Sequence, residues 1–340
     1  MLNIVKHNMK TPLKYNSIYS QLSNEEEIIF EETKKSIADF VRHSSRISDV
    51  NYVTRNAHAK TYIALEGKFI PEQSAKSLLK DTFFEKEYKI VVRLSNANLK
   101  IPKGINDLPA YGFAIKILDK EENTMANYPL VNFPLFPINS VSRFLKLFTK
   151  INRFFIDKKK ILPLLGEGLQ LAPQLVSLDL LKKSLELGLK SHHFFLSFPF
   201  YSIGAYRLGD YMIKLKIVPR NVSYKIRNGF LPKTLDDYFQ QNSYNADVFI
   251  QYCYNEKDQP INILNREWKN SPFIKIGQIH IPQSSILNHH YLENELLSFN
   301  PFDNQKNLKP VGKIQKLREK AYQVSFNTRE KVNTLLHPEK

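Results

Sequence analysis

Between Tyr211 and Pro219 the chain alternates without a break. Ile213, Leu215 and Ile217 fall on one side of an extended strand, and Met212, Lys214 and Lys216 on the other. Successive side chains of a strand point to opposite faces, so this period of two commits the segment to a sheet with one apolar face. Residues 274–281 repeat the pattern, and residues 91–95 and 113–117 are short branched runs bounded by turn formers. Helical patterns stand on either side. Asn24 is expected to cap a helix, because Glu25, Glu26 and Glu27 follow in its first turn, where carboxylates favour the positive end of the dipole. Ile28, Ile29, Ile37, Phe40 and Val41 mark its apolar stripe, with an end near Val41. Residues 161–189 are the most apolar stretch, but Pro163, Glu167, Pro173, Asp179, Lys182 and Lys183 interrupt it. Buried helices are expected there, not a membrane span. A last helix is expected after Pro310. This order predicts an α+β fold built on an antiparallel sheet or barrel, in preference to regular βαβ winding.

Composition narrows the functional classes. An apolar content of 42% in 340 residues excludes a disordered polar chain. The single cysteine, Cys253, excludes an internal disulfide and a Cys-cluster zinc site. Lys and Arg number 49 against 33 Asp and Glu, a formal charge of +16. Such a balance suits nucleic acid, an anionic membrane, an anionic cofactor or solubility alone. No RNP motif, zinc knuckle or clear helix-turn-helix is present, so nucleic acid is set aside. The first residues carry no apolar run of signal-peptide length, so a soluble cytoplasmic protein is expected. No GxGxxG, P-loop, HExxH or GxSxG occurs. The doublets His192-His193 and His289-His290 lack a carboxylate at metal-ligand spacing.

Three constellations remain. His58 lies between Ala57 and Ala59, small neighbours that leave its imidazole sterically free, although an ordinary satisfied histidine accounts for it as well. Arg93 and Ser95 are two apart on an expected strand and share a face. An inward Arg there needs an anion and a Ser can orient an imidazole, while an edge strand facing water is the plainer account. Arg318, Tyr322 and Arg329 stand at i, i+4 and i+11, within roughly 40° on one helical face. Two guanidiniums beside a phenol favour its anion, and a Tyr oxygen is one of the known axial ligands of haem iron. An exposed basic helix over residues 313–320 is the alternative.

Read in order, these segments resemble the catalase superfamily, in particular its small catalase-related members. RNAHAKTYIALEGKF (55–69) is similar to the distal-histidine segment and VVRLSNA (91–97) to the strand with the Arg-Phe-Ser signature. YGFAIKI (111–117) resembles the strand that follows, and VNFPLFPI (131–138) the Asn-x-Pro-x-Phe segment. SPFIKIGQIHIPQ (271–283) and LSFNPF (297–302) resemble a later barrel strand and its loop, and REKAYQVSFNTR (318–329) the proximal helix with its Arg-x-x-x-Tyr. The likeness covers about 280 residues in the correct order. It departs from the family pattern at Thr61 (usually Gly), Tyr111 (usually Arg), Pro109 (a channel Asp in large catalases, with Asp107 two residues away) and Pro137, and by lacking Asp-Thr-His after the tyrosine.

The resemblance implies one catalase-like antiparallel β-barrel surrounded by helices (24–332), between an arm (1–23) and a tail (333–340), without the larger enzymes' C-terminal helical domain. It implies a haem b cofactor with Tyr322 as the iron ligand and Arg318 favouring the phenolate. His58 would be the distal acid/base, held by Ser95, with Asn132 hydrogen-bonding peroxide. Arg55, Arg93 and Arg329 would pair with the propionates, and Phe136 or Phe144 would stack on the distal side. The activity implied is peroxidase or catalase chemistry on hydrogen peroxide or organic hydroperoxides with a small reductant, in the response to oxidative stress, by a monomer or small homo-oligomer. Two alternatives are rearrangement of fatty-acid hydroperoxides at an anionic membrane, motivated by the basic, aromatic stretch 144–160, and non-enzymatic haem binding on the same fold.

Overall fold

The computed structural model describes residues 11–80, 82–101, 107, 109–136, 138–171, 178–189, 193–222, 231–287 and 291–338. The first ten residues, Pro137, Pro173, His192, His289 and His290 lie outside them.

The four strand-like runs are joined by four further strands into eight that are antiparallel and close on themselves. They are β1 (Thr61–Pro71), β2 (Tyr88–Asn96), β3 (Tyr111–Leu118), β4 (Thr124–Val131), β5 (Phe200–Tyr201), β7 (Tyr211–Pro219), β8 (Tyr244–Tyr252) and β9 (Phe273–Ile281). The first four follow one another around the ring, β5 links β4 to β7, and β7–β8, β8–β9 and β9–β1 pairings complete it. Two short strands, β6 (Ala205–Leu208) and β10 (Pro310–Val311), extend the sheet beyond β7. Closure removes exposed strand edges.

The interior takes every second residue: Ile90, Val92 and Leu94 of β2, Phe113, Ile115 and Ile117 of β3, Ile213, Leu215 and Ile217 of β7. Phe84, Phe195, Phe200 and Tyr128 fill the centre. Each such side chain removed from water contributes roughly 1.5–3 kcal/mol. The opposite face of β7 is not simply in water. Lys214 is buried, with its ammonium 4.8 Å from the centroid of the Trp268 ring.

Outside the barrel lie α1 (Asn24–Ser48), α2 (Lys76–Leu79), α3 (Val141–Ile156), α4 (Ile161–Leu171), α5 (Leu178–Leu189), α6 (Leu231–Gln241), α7 (Tyr291–Leu296) and α8 (Lys313–Leu336). Ser23, not Asn24, caps α1. Its hydroxyl accepts from the Glu26 amide while the Glu26 carboxylate accepts from the Ser23 amide, a reciprocal box that a cap at Asn24 would forgo. The helix also runs past Val41 to Ser48, because Ser44 and Ser48 are buried and Ser44 bonds to Thr54. Ile37 and Val41 of α1 pack with Ala321, Val324 and Val332 of α8, which brings the C-terminal helix across the barrel's outer wall. Residue 333 belongs to α8 as well: Asn333 is buried and exchanges two hydrogen bonds with the Val53 backbone.

The described parts of the apolar stretch 161–189 form helices, as expected, but much of their described surface is exposed. Leu162 and Leu189 are each 75% exposed. Leu187 of α5 packs against the barrel core, which is otherwise filled from the barrel and its other neighbours, so the outward leucines have nothing there to cover. Among the described residues no helix is long and apolar enough to cross a membrane.

Candidate haem site

The β2 residues Arg93 and Ser95 share a face, and that face is the outside of the barrel. The interior positions are taken by Ile90, Val92 and Leu94, so an inward Arg is ruled out. Both are nevertheless buried, at 4% and 2% exposure, under the segments that cross the wall. An edge strand facing water does not describe them.

His58 sits just before β1 with a positive φ of 51°, an uncommon backbone for a residue with a Cβ. Three contacts hold it. Ser95 Oγ lies 3.1 Å from its Nδ1, Arg93 Nη2 donates to its carbonyl at 2.6 Å, and Arg93 Nε donates to Thr61 Oγ1 at 2.9 Å. Thr61, one of the departures from the family pattern, therefore fastens the arginine that fastens the histidine. β1 slips register against β2 between Thr61 and Ile63, which re-aims this end of the strand.

The imidazole lies against Gly112, which β3 places opposite Ser95. A Cβ at Gly112 would stand 2.6 Å from His58 Nδ1 and 2.6 Å from Ser95 Oγ. Burial first, then the charges of Arg93, Arg318 and Arg55, push the His58 pKa down to about 3. The ring is therefore neutral at physiological pH. Its usual value is 6.5, so the unfolded chain binds a proton between about pH 3 and 6.5 that the native state does not. Stability is full above pH 6.5 and falls with acid by up to about 1.4 kcal/mol per pH unit across that window. Chemical denaturation of wild type and His58→Gln at pH 4, 5 and 7 should show a steeper fall with acid in the wild type, over the slope that Asp247 and other paired carboxylates give to both.

On α8, Arg318 Nη2 donates to Tyr322 Oη at 3.0 Å, and its Nη1 donates to Gln315 Oε1 at 2.6 Å. The guanidinium carbon is 5.4 Å from the Tyr322 ring centroid. Arg318 is half-buried, so this face of the helix is not the exposed basic surface of the alternative account. Arg329 turns away from the phenol. It donates to Ser325 Oγ at 2.8 Å and to the Glu295 carbonyl at 3.2 and 3.3 Å. The spacing of three residues on one helical face was right, but only one guanidinium reaches the tyrosine.

Arg55 meets Arg329 at Glu295 of α7. Arg55 Nη1 is 3.0 Å from Glu295 Oε1, and Arg329 Nε is 3.5 Å from Oε2. Arg55 Nη2 also donates to the carbonyls of Asn294, Glu295 and Leu297. Glu295 is 2% exposed, and its Oε2 accepts no hydrogen bond. Burial and the neighbouring guanidiniums hold Arg93 well below its ordinary pKa and bring Arg329 to about 9. Arg55 and Arg329 thus share one buried carboxylate, whose charge Arg93 also feels, and positive charge is left in surplus. Burying charge without compensation is expensive, so the cluster suits an anion.

The amide of Asn132 serves the backbone: its Oδ1 accepts from the Tyr111 N–H at 2.8 Å, and its Nδ2 donates to the Pro109 carbonyl at 2.9 Å. Phe136 and Phe144 meet edge to face at 5.0 Å and join Phe30, Leu145, Ile314 and Leu317 between α1, α3 and the start of α8. Asp107 pairs with Lys60 and accepts from the Tyr62 hydroxyl, both at 2.7 Å. Among the described residues no group of three His, Cys, Asp or Glu could hold a metal ion.

Sequence reasoning missed Gly112, Glu295 and Gln315. Gln315 stands three residues before Arg318 on the same helix and was legible from spacing. Gly112 and Glu295 are joined to the site only by the fold.

Neither known family models nor curated proteins match the chain. Solved structures do. A fungal catalase superposes with a TM-score of 0.61 at 16% identity, over 84% of this chain and 60% of its own. Catalase A from Saccharomyces cerevisiae gives 0.61 at 15%, over 96% and 68%, and a bacterial catalase 0.60 at 13%, over 97% and 65%. The chain has the catalase fold. It spans about two thirds or less of the length of these catalases, and at such identities the likeness speaks for architecture alone. In this catalase-like barrel, His58 and Ser95 lie on the outer wall and Tyr322 on the helix laid across it. The charge of Arg318 is felt at His58 and that of Tyr322 at Arg93, so the two sets share one region.

The donor set suits haem. A phenol held by a guanidinium offers an oxygen ligand, a neutral imidazole faces the same region, and guanidinium charge that Glu295 does not balance suits the carboxylates of propionates.

Proposed function

We propose that this chain is a haem-dependent enzyme that acts on peroxides. The observation that carries the reading is the Arg318–Tyr322 hydrogen bond at 3.0 Å in the same buried region as a neutral, Ser95-held histidine. Tyr322 would ligate the iron, with Arg318 holding its oxygen in place. Arg55, Arg93 and Arg329 would receive the propionates beside Glu295, and His58 would face the substrate. The bound haem would supply a redox-active Lewis acid for the O–O bond.

The remaining chemistry belongs to the chain. Ser95 engages Nδ1 of His58, which leaves Nε2 as the nitrogen for proton transfer. Nε2 accepts a proton from one peroxide oxygen and returns it to the other, which departs as water or an alcohol. With a pKa near 3, His58 is always in the accepting form above pH 5. Gly112 keeps the wall beneath the ring flat, and Arg93 fixes the backbone that aims it. The reductant is a small organic donor or a second peroxide. Asn132 serves by holding the end of β3 in register.

Steady-state peroxide consumption by haem-loaded protein tests the reading. His58→Ala is expected to lower turnover by about 10²–10⁴, the usual contribution of general acid–base catalysis, with haem uptake retained. Equal turnover in the two proteins would leave a haem-binding protein without this enzymatic role. Comparing hydrogen peroxide with a fatty-acid hydroperoxide separates the peroxidase from the rearranging alternative.

A further inference from the structure

We propose that α4 and α5 form a peripheral docking face for an anionic lipid bilayer. The inference does not depend on the haem reading.

Twelve large apolar side chains are strongly exposed among the described residues, and six of them belong to these two helices. Ile161, Leu162 and Leu165 fall within about 100° of the α4 circumference, and Leu181, Leu185 and Leu189 within about 80° of α5. Their exposures run from 45% to 75%. A soluble chain scatters exposed leucines singly, whereas two consecutive helices here carry them as stripes.

Charge identifies the occupant. Lys158, Lys159 and Lys160 form one 3-10 turn directly before α4 and have no carboxylate partner among the described residues. Lys182 adjoins the α5 stripe and is likewise unpaired among them. From residue 141 to 189 the chain carries nine Lys and Arg against four acidic residues, Asp157, Glu167, Asp179 and Glu186. The ammonium of Lys158 rests 4.1 Å from the Phe154 ring centroid and 4.6 Å from that of Phe155. Leucine stripes bordered by unpaired lysines and aromatics match an interfacial helix lying on an anionic membrane. Such a surface asks for no shape complementarity, which suits stripes spread over two helices better than one partner groove would. Both helices lie in the excursion between β4 and β5, so docking leaves the barrel and its site intact.

Flotation of the full-length protein with vesicles tests this directly. Vesicles of phosphatidylcholine with about 30% phosphatidylglycerol should carry the protein upward, and pure phosphatidylcholine should carry far less. The triple substitution Lys158→Gln, Lys159→Gln, Lys160→Gln should weaken binding roughly a hundredfold, about fivefold per charge. Leu162→Ser with Leu165→Ser and Leu185→Ser should weaken it at least about tenfold even at low salt. These side chains are on the surface, so circular dichroism and thermal midpoints should match wild type. Three results would overturn the proposal: no flotation with anionic vesicles, flotation unaffected by the leucine substitutions, or a wild-type dimer that those substitutions convert to monomer, which would assign the face to a second copy of the chain.

Discussion

Tyr322→Phe should abolish the ferric Soret band that the wild-type protein develops when supplied with haem. The substitution removes one atom, the phenolic oxygen that Arg318 engages at 3.0 Å, and leaves the ring in place. Arg318 keeps its bond to Gln315, so the cost to folding should stay below about 1.5 kcal/mol. Absorption spectroscopy and far-ultraviolet circular dichroism on the same sample separate the two effects: the band disappears while the secondary structure remains. A Soret band of undiminished intensity in Tyr322→Phe would remove Tyr322 as the iron ligand. Absence of the band in the wild type would remove the haem reading altogether.

Gly112→Ala should damage both stability and catalysis. The added methyl would stand 2.6 Å from His58 Nδ1 and from Ser95 Oγ, well inside contact distance. His58 is pinned through its carbonyl by Arg93, and Ser95 is part of a barrel strand, so neither neighbour yields easily. Overpacking of this kind costs about 1–3 kcal/mol. Displacing a proton-transfer group by a fraction of an ångström to an ångström costs about 10²-fold in rate. Gly166→Ala is the matched control. A Cβ there meets nothing within 4 Å, so the same change should be neutral or stabilising by up to about 1 kcal/mol. Denaturant melts of the two variants, with peroxide turnover of the haem-loaded forms, check both expectations. A Gly112→Ala protein as stable and as active as wild type would show that the imidazole does not lie against β3.

The features that were legible depend on short-range periodicity. Alternation in residues 211–219 and 274–281 gave the strands, and the i, i+4 spacing of Arg318 and Tyr322 gave a pair that does meet, because a helix fixes that distance wherever it is placed. The two-residue spacing of Arg93 and Ser95 gave a shared face for the same reason, but not which face. That depended on eight strands closing around Ile90, Val92 and their counterparts. The Asn24 cap was off by one residue because a reciprocal pair three residues apart, Ser23 and Glu26, outcompetes it.

Residues whose partners are distant in sequence carry no such local mark. Arg55 and Arg329 are 274 positions apart in the chain, yet they meet at Glu295, and no local pattern marks that carboxylate. The Asn132 amide bonds to the backbone of Tyr111 and Pro109 across the strand pair, contacts that no local spacing announces. Leucines in a helix look like core until the core is seen to be full, which is why residues 161–189 suggested burial.

By itself, then, the sequence determined four of the strands, the first and last helices, the helical character of 161–189 and the chemistry available: an imidazole, a phenol and an excess of guanidinium. Those depend on side-chain identity and on separations of a few residues, which backbone geometry converts directly into distance. Tertiary structure alone decided which groups share a buried region, that Gly112 gives the imidazole its room, that Glu295 offsets only part of the arginine charge, and which leucines face outward. Each of these follows from barrel closure and from the path of α8 across the wall. Such long-range contacts are set by the packing of the whole chain and leave no periodic mark in it.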